Sequence, residues 1–144
     1  MVEAEAELTR ISPARQTHPD VLEARWLLYA EQQRWAEALQ VARLLVQTAP
    51  KRPSGWLHQA YALRRAPDGS IAKAWEALLP AANRFPKQSI IPYNLACYAA
   101  QMQQLESARA WLRRALAIGD KEHIKALALA DPDLEALWPE VRKL

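Results

Sequence analysis

Three stretches of the chain share one pattern of large, small and polar positions: WAEALQVARLLVQTAP (35–50), IAKAWEALLPAANRFP (71–86) and LESARAWLRRALAIGD (105–120). Each opens on a large apolar residue (Trp35, Ile71, Leu105), places alanine three positions on (Ala38, Ala74, Ala108) and continues with Ala42, Leu78 or Leu112. The alanines stand 36 and then 34 residues apart, and the stretches close on Pro50, Pro86 and Asp120. A second amphipathic stretch precedes each one: DVLEARWLLYAEQ, SGWLHQAYALRR and IIPYNLACYAAQM. Apolar residues recur there at helical spacing, as in Leu22, Trp26 and Tyr29, or Trp56, Ala60 and Leu63. The pattern predicts a helix pair every ~34 residues, with alanine where the two helices cross, because backbones approach closely only where side chains are short. The two extra residues of the second unit fall in APDGS, a turn sequence where an insertion costs little.

Composition agrees with an all-α reading. Glycine occurs only three times among 144 residues, while Ala, Leu, Gln, Glu and Arg abound, and these residues lose least on entering a helix. One chain of this length is one domain's worth of sequence.

On the residues just quoted, and on YNLA (Tyr93, Asn94, Leu95, Ala96) in the third unit, residues 19–120 resemble tetratricopeptide repeats. The resemblance implies a right-handed α-α superhelix of three helix-turn-helix repeats, 19–52, 53–88 and 89–120. Residues 1–18 and 121–144 are expected to cap its ends, since a solenoid leaves an apolar face at each terminus. In the front cap, Ala4, Leu8 and Ile11 share one helical face. Behind the third unit, KEHIKALALA reads as a helix and DPDLEALW as another, with Asp131 as N-cap and Pro132 at the first helical position. Pro139 is expected to kink or end that last helix. The run LALADPDLEALW looks like the closing segment of many bacterial members of this family.

Charge adds little. The net charge is +3, and the whole excess lies in 53–88, where Arg64, Arg65, Lys73, Arg84 and Lys87 face only Asp68 and Glu76. That falls short of the clustered charge of a nucleic-acid binder. MVEAEAELTR has neither a basic n-region nor an apolar h-region, and no apolar run approaches a membrane span. The expectation is a cytoplasmic protein.

Candidate chemistry is thin. Cys97, the single cysteine, has no Lys, Arg or His within one helical turn to activate it, so it reads as a small hydrophobe. His18, His58 and His123 are scattered, with no partner at ligand spacing. No nucleophile elbow, phosphate loop or zinc-protease motif occurs. Neither a catalytic residue, a metal site nor a cofactor is expected. Of the six tryptophans, Trp35, Trp56 and Trp111 fall at positions expected to be buried between helices. Trp75 and Trp138 are less constrained, and either could mark a partner surface.

The resemblance places an inner groove on the first helix of each repeat. Its positions are Asp20, Glu23, Leu27 and Glu31 in the first unit, Leu57, Tyr61, Arg64 and Arg65 in the second, and Tyr93, Cys97 and Gln101 in the third. A Tyr/Arg centre beside an acidic end suits an extended peptide, because guanidinium pairs with carboxylate in a fork and tyrosine adds area plus a hydroxyl. An inner face filled by the terminal helices is the alternative. Some family members hold chaperone C-termini with a Lys/Asn/Arg clamp; Glu23 and Leu27 stand at two of those positions, so that clamp is absent. The expected function is a non-catalytic module that binds a protein or peptide. The alternatives are a client holder resembling type III secretion chaperones and a self-associating scaffold, with a homodimer as one outcome. A weak RNA-binding role through the middle-unit bases and Arg113/Arg114 ranks below these.

Overall fold

The computed structural model describes residues 2–144, with side chains from Ala4 onward; Met1, the first residue of the expected front cap, lies outside the described residues. Among them the regular structure is all helix. In chain order it runs α1 (Val2–Arg10), a 3-10 turn (Pro13–Arg15), α2 (Pro19–Glu31), α3 (Trp35–Thr48), α4 (Pro53–Arg65), α5 (Ile71–Arg84), α6 (Ile90–Gln101), α7 (Leu105–Ile118), α8 (Lys121–Ala130), a 3-10 helix (Pro132–Leu137) and α9 (Trp138–Arg142). The chain forms two compact units, Met1–Ala77 and Leu78–Leu144, and the division falls inside α5.

In the first unit α3 packs on both α2 and α4. The core is built from Leu22, Trp26 and Leu28 of α2, Ala38, Ala42 and Leu45 of α3, and Ala60 and Leu63 of α4. Ala38 and Ala42 are wholly buried, at the positions where the repeat calls for short side chains. Gly55 extends this close approach: a Cβ there would stand 3.1 Å from the Val46 nitrogen. Gly69, in the APDGS turn, has no room at all, since a Cβ would fall 1.7 Å from the Leu63 carbonyl oxygen. Ser70 then starts α5 by accepting from the Lys73 amide at 3.0 Å.

The second unit is organised around α6. From Ile91 to Ala100 every residue except Asn94 is buried, which explains why IIPYNLACYAA is apolar all round rather than striped. One side of α6 meets α7 through Ala108, Leu112 and Ala115, and another meets the Pro132–Leu137 helix. Leu134, Leu137, Ile124 and Val141 complete this core.

Two of the hairpins close by the same device. After α2, the Gln33 amide bonds to the Ala30 carbonyl (3.0 Å) and the Arg34 amide to the Tyr29 carbonyl (2.9 Å). After α6, the Gln103 and Gln104 amides repeat those bonds to Ala100 (3.1 Å) and Ala99 (2.9 Å). These are Schellman caps, which satisfy the last helical carbonyls by placing one residue in the left-handed region. That residue is Gln33 (φ 56°) in one case and Gln103 (φ 63°) in the other. Pro139 differs from expectation. It sits in the first turn of α9, where its missing amide would have had no intrahelical partner, so it opens a helix instead of ending one.

Candidate functional site

In the first unit α2, α3 and α4 bring four aromatic rings and a cation together. The Trp26 indole stacks on the His58 imidazole at 3.9 Å between centroids and 16° between planes. Tyr61 meets Trp26 edge-on at 5.9 Å and Trp35 at 5.6 Å. The Arg65 guanidinium lies 3.5 Å above the Tyr61 ring and 5.6 Å from Trp35, and its Nη1 donates to the Tyr61 carbonyl at 3.0 Å. Trp26 is the buried floor, at 5 % exposure, while Tyr61 is 41 % exposed. The result is a rigid aromatic surface held from below and clamped by a cation from above. Burial lowers the His58 pKa below its ordinary value, opposed by the nearby Glu23 carboxylate.

The other first-unit positions fall around this cluster. Leu27, at 59 % exposure, is the most open large apolar side chain among the described residues, and it lines a shallow groove with Ala4, Leu8, Ile11 and Leu28. Glu31 borders the same groove. Asp20 and Glu23 both pair with Arg52, at 2.9 and 3.2 Å. The Asp20 carboxyl is therefore held below its ordinary pKa, first by the Arg52 hydrogen bond, and one guanidinium offsets part of the charge at the acidic end. Leu57 and Arg64 are half-buried in α4. Of the residues expected in the groove of this unit, the structure joins Tyr61 and Arg65 directly. Trp26, Trp35, His58 and Arg52 are the partners sequence reasoning left out.

The second-unit positions are arranged differently. Tyr93, Cys97 and Gln101 form a stripe along α6 at one-turn spacing, and all three meet the segment that begins at Asp131. The Tyr93 hydroxyl donates to Asp131 Oδ2 at 2.9 Å, the Cys97 thiol contacts the same oxygen at 3.5 Å, and Gln101 Nε2 donates to the Asp133 carbonyl at 3.1 Å. The other oxygen of Asp131 accepts from the Asp133 amide at 3.0 Å, as an N-cap does. Tyr93 and Cys97 are buried, at 6 % and 4 % exposure. Burial, reinforced by the acidic neighbours, pushes the Tyr93 hydroxyl pKa far up. The thiol and the Asp131 and Asp133 carboxylates lie within 4.8 Å of one another; the 3.5 Å thiol contact joins Cys97 to Asp131, and the cap bond brings the Asp133 backbone alongside. Trp138 is anchored too, its indole donating to the Ala128 carbonyl at 2.8 Å, and Trp75 is half-buried.

No helix among the described residues is long and apolar enough to cross a membrane. No family model matches the chain, and no curated protein matches it. The architecture is all-α, built from successive packed helices. It is similar to the crystal structure of PcrH in complex with the chaperone binding region of PopB, at 18 % identity over 93 % of this chain and 97 % of that one, with a TM-score of 0.63. At that identity the likeness carries the fold.

Proposed function

We propose that the chain is a tetratricopeptide-repeat protein of three repeats (19–52, 53–88, 89–120) flanked by capping segments, and that it acts as a non-catalytic module that captures a peptide or helix of a partner protein. The observation that carries this reading is Tyr61: a residue 41 % exposed whose ring is fixed between Arg65 and the Trp26 and Trp35 indoles. An exposed but immobilised tyrosine loses little entropy on contact, and Tyr, Trp and Arg dominate binding hot spots. Arg65 adds a donor fork for a carboxylate. PcrH has a similar fold and was solved with the chaperone binding region of PopB, which supports a peptide as ligand and favours client holding as the second reading.

The test uses peptides selected against the wild-type chain from a random library. Tyr61→Ala and Arg65→Glu, each checked by circular dichroism, should weaken the selected peptides at least about tenfold, or 1.4 kcal/mol. Unchanged affinity in both variants would remove Tyr61 and Arg65 from the site.

A further inference from the structure

We infer that residues 131–137 are a ligand held in cis. The Tyr93–Cys97–Gln101 stripe of α6 is a receptor for a short acidic-apolar peptide, Asp followed by Leu at +3 and +6, and the chain's own segment occupies it until such a client peptide competes. This rests on the peptide-capture reading and assigns it a second seat, in the other unit.

The contacts are those of a receptor with a bound peptide. One carboxylate, Asp131, receives the Tyr93 hydroxyl at 2.9 Å and the Cys97 thiol at 3.5 Å. One backbone carbonyl, that of Asp133, receives the Gln101 amide at 3.1 Å. Two leucines, Leu134 and Leu137, are buried to 0 % and 1 % exposure. Side chains of α6 read a carboxylate and a main-chain carbonyl while apolar anchors fill the space below, as in helix-in-groove recognition.

The occupant is also built to leave. It is a six-residue 3-10 helix, a conformation with poorer hydrogen-bond geometry than the α-helix. Pro132, Glu135 and Ala136 face outward. It joins α8 through Asp131 itself, whose backbone is extended (φ −99°, ψ 112°), and runs directly into α9, which the Trp138 indole ties to the Ala128 carbonyl of α8, so release moves residues 131–142 together while α8 keeps its own helix. Opening this clasp withdraws Leu134 and Leu137 from the core, so it is a sub-global event that costs less than unfolding the whole chain but more than fraying of an end. The tether gives the segment an effective concentration of order millimolar, and an external peptide binds the intact chain more weakly by the fraction of time the clasp is open.

The probe is a fluorescein-labelled peptide of residues 130–138, ADPDLEALW, titrated into the full chain. Asp131→Ala removes the carboxylate that Tyr93 and Cys97 hold and leaves both leucines in place. The peptide should bind this variant at least about tenfold more tightly than wild type. Cys97 should react faster with a thiol reagent in the variant and be protected again by the peptide. A peptide with its first Asp replaced by Ala should do neither. In wild type, excess peptide should accelerate hydrogen exchange at the Leu134 and Trp138 amides, because displacement frees them; this arm stands even if the variant fails to fold. A folded variant with a reactive Cys97 that ignores the peptide overturns the inference, as does unchanged exchange in wild type. Exchange of the segment between two copies, leaving no seat for the peptide, overturns it also. If library-selected peptides still depend on Tyr61 and Arg65, the capture reading survives that failure; if they do not, both fall.

Discussion

The Trp26 indole lies flat on the His58 imidazole, 3.9 Å away. The histidine is partly withdrawn from water, and its pKa is lowered by that burial against the pull of Glu23. The folded chain therefore resists protonation at His58 while the unfolded chain accepts a proton near 6.5. Stability from this residue is complete above about pH 6.5 and declines as pH falls toward the folded-state pKa. Urea unfolding at pH 7.5 and 5.5 should show a drop in wild type that is smaller in His58→Gln. Equal drops would mean that His58 is as well solvated folded as unfolded.

Tyr93 has the opposite sign. Its hydroxyl pKa is raised above the ordinary value of 10.0, so the folded state keeps a proton that the unfolded state releases. The contribution is complete below pH 10 and is lost as pH rises beyond it. Tyr93→Phe should remove this alkaline component. At neutral pH it should cost about 1.5–3 kcal/mol, the worth of a hydrogen bond to a charged group, read as a shift in denaturant midpoint.

Gln33 and Gln103 hold left-handed backbone in a place that glycine occupies most easily. For an L-residue that conformation costs about 1–2 kcal/mol, part of which glycine returns through its freer unfolded chain. Gln33→Gly and Gln103→Gly should each raise stability by about 0.5–1 kcal/mol. The gains should add, since the two turns lie in separate units. A loss in either variant would mean that the glutamine side chain contributes something its backbone conformation does not reveal.

Ala38 and Ala108 are wholly buried where paired helices cross. Ala38→Leu and Ala108→Leu should each destabilise by about 1–3 kcal/mol through overpacking. The same change at Ala72 or Ala110, exposed on α5 and α7, should have little effect. Thermal melts of the four variants decide the matter, and equal melting temperatures would argue against close helix crossings at the repeat alanines.

The all-α fold was legible because its signal is local and repeated: Ala38, Ala74 and Ala108 recur at repeat spacing within 16-residue windows. The Schellman turns were hidden because their usual marker, glycine, is replaced by glutamine. Asp131 was readable as a helix cap, since capping depends on neighbours in sequence. That its second oxygen reaches Tyr93, 38 residues away, depends on how α6 and the closing segment pack. His58 looked isolated for a similar reason: no pattern within α4 announces a tryptophan from α2 against its face. The contact between Tyr61 and Arg65 was legible because they stand one turn apart on a single helix, where sequence spacing and spatial distance agree.

The 38-residue separation of Tyr93 and Asp131 also orders events during synthesis. The ribosome delivers α6 well before it delivers the segment that covers it. For that interval the nascent chain presents Tyr93, Cys97 and Gln101 uncovered, with no tethered competitor yet made. If that stripe is the peptide seat inferred above, a partner at the site of translation meets it before its cover exists, and the order of manufacture favours early encounters over late ones.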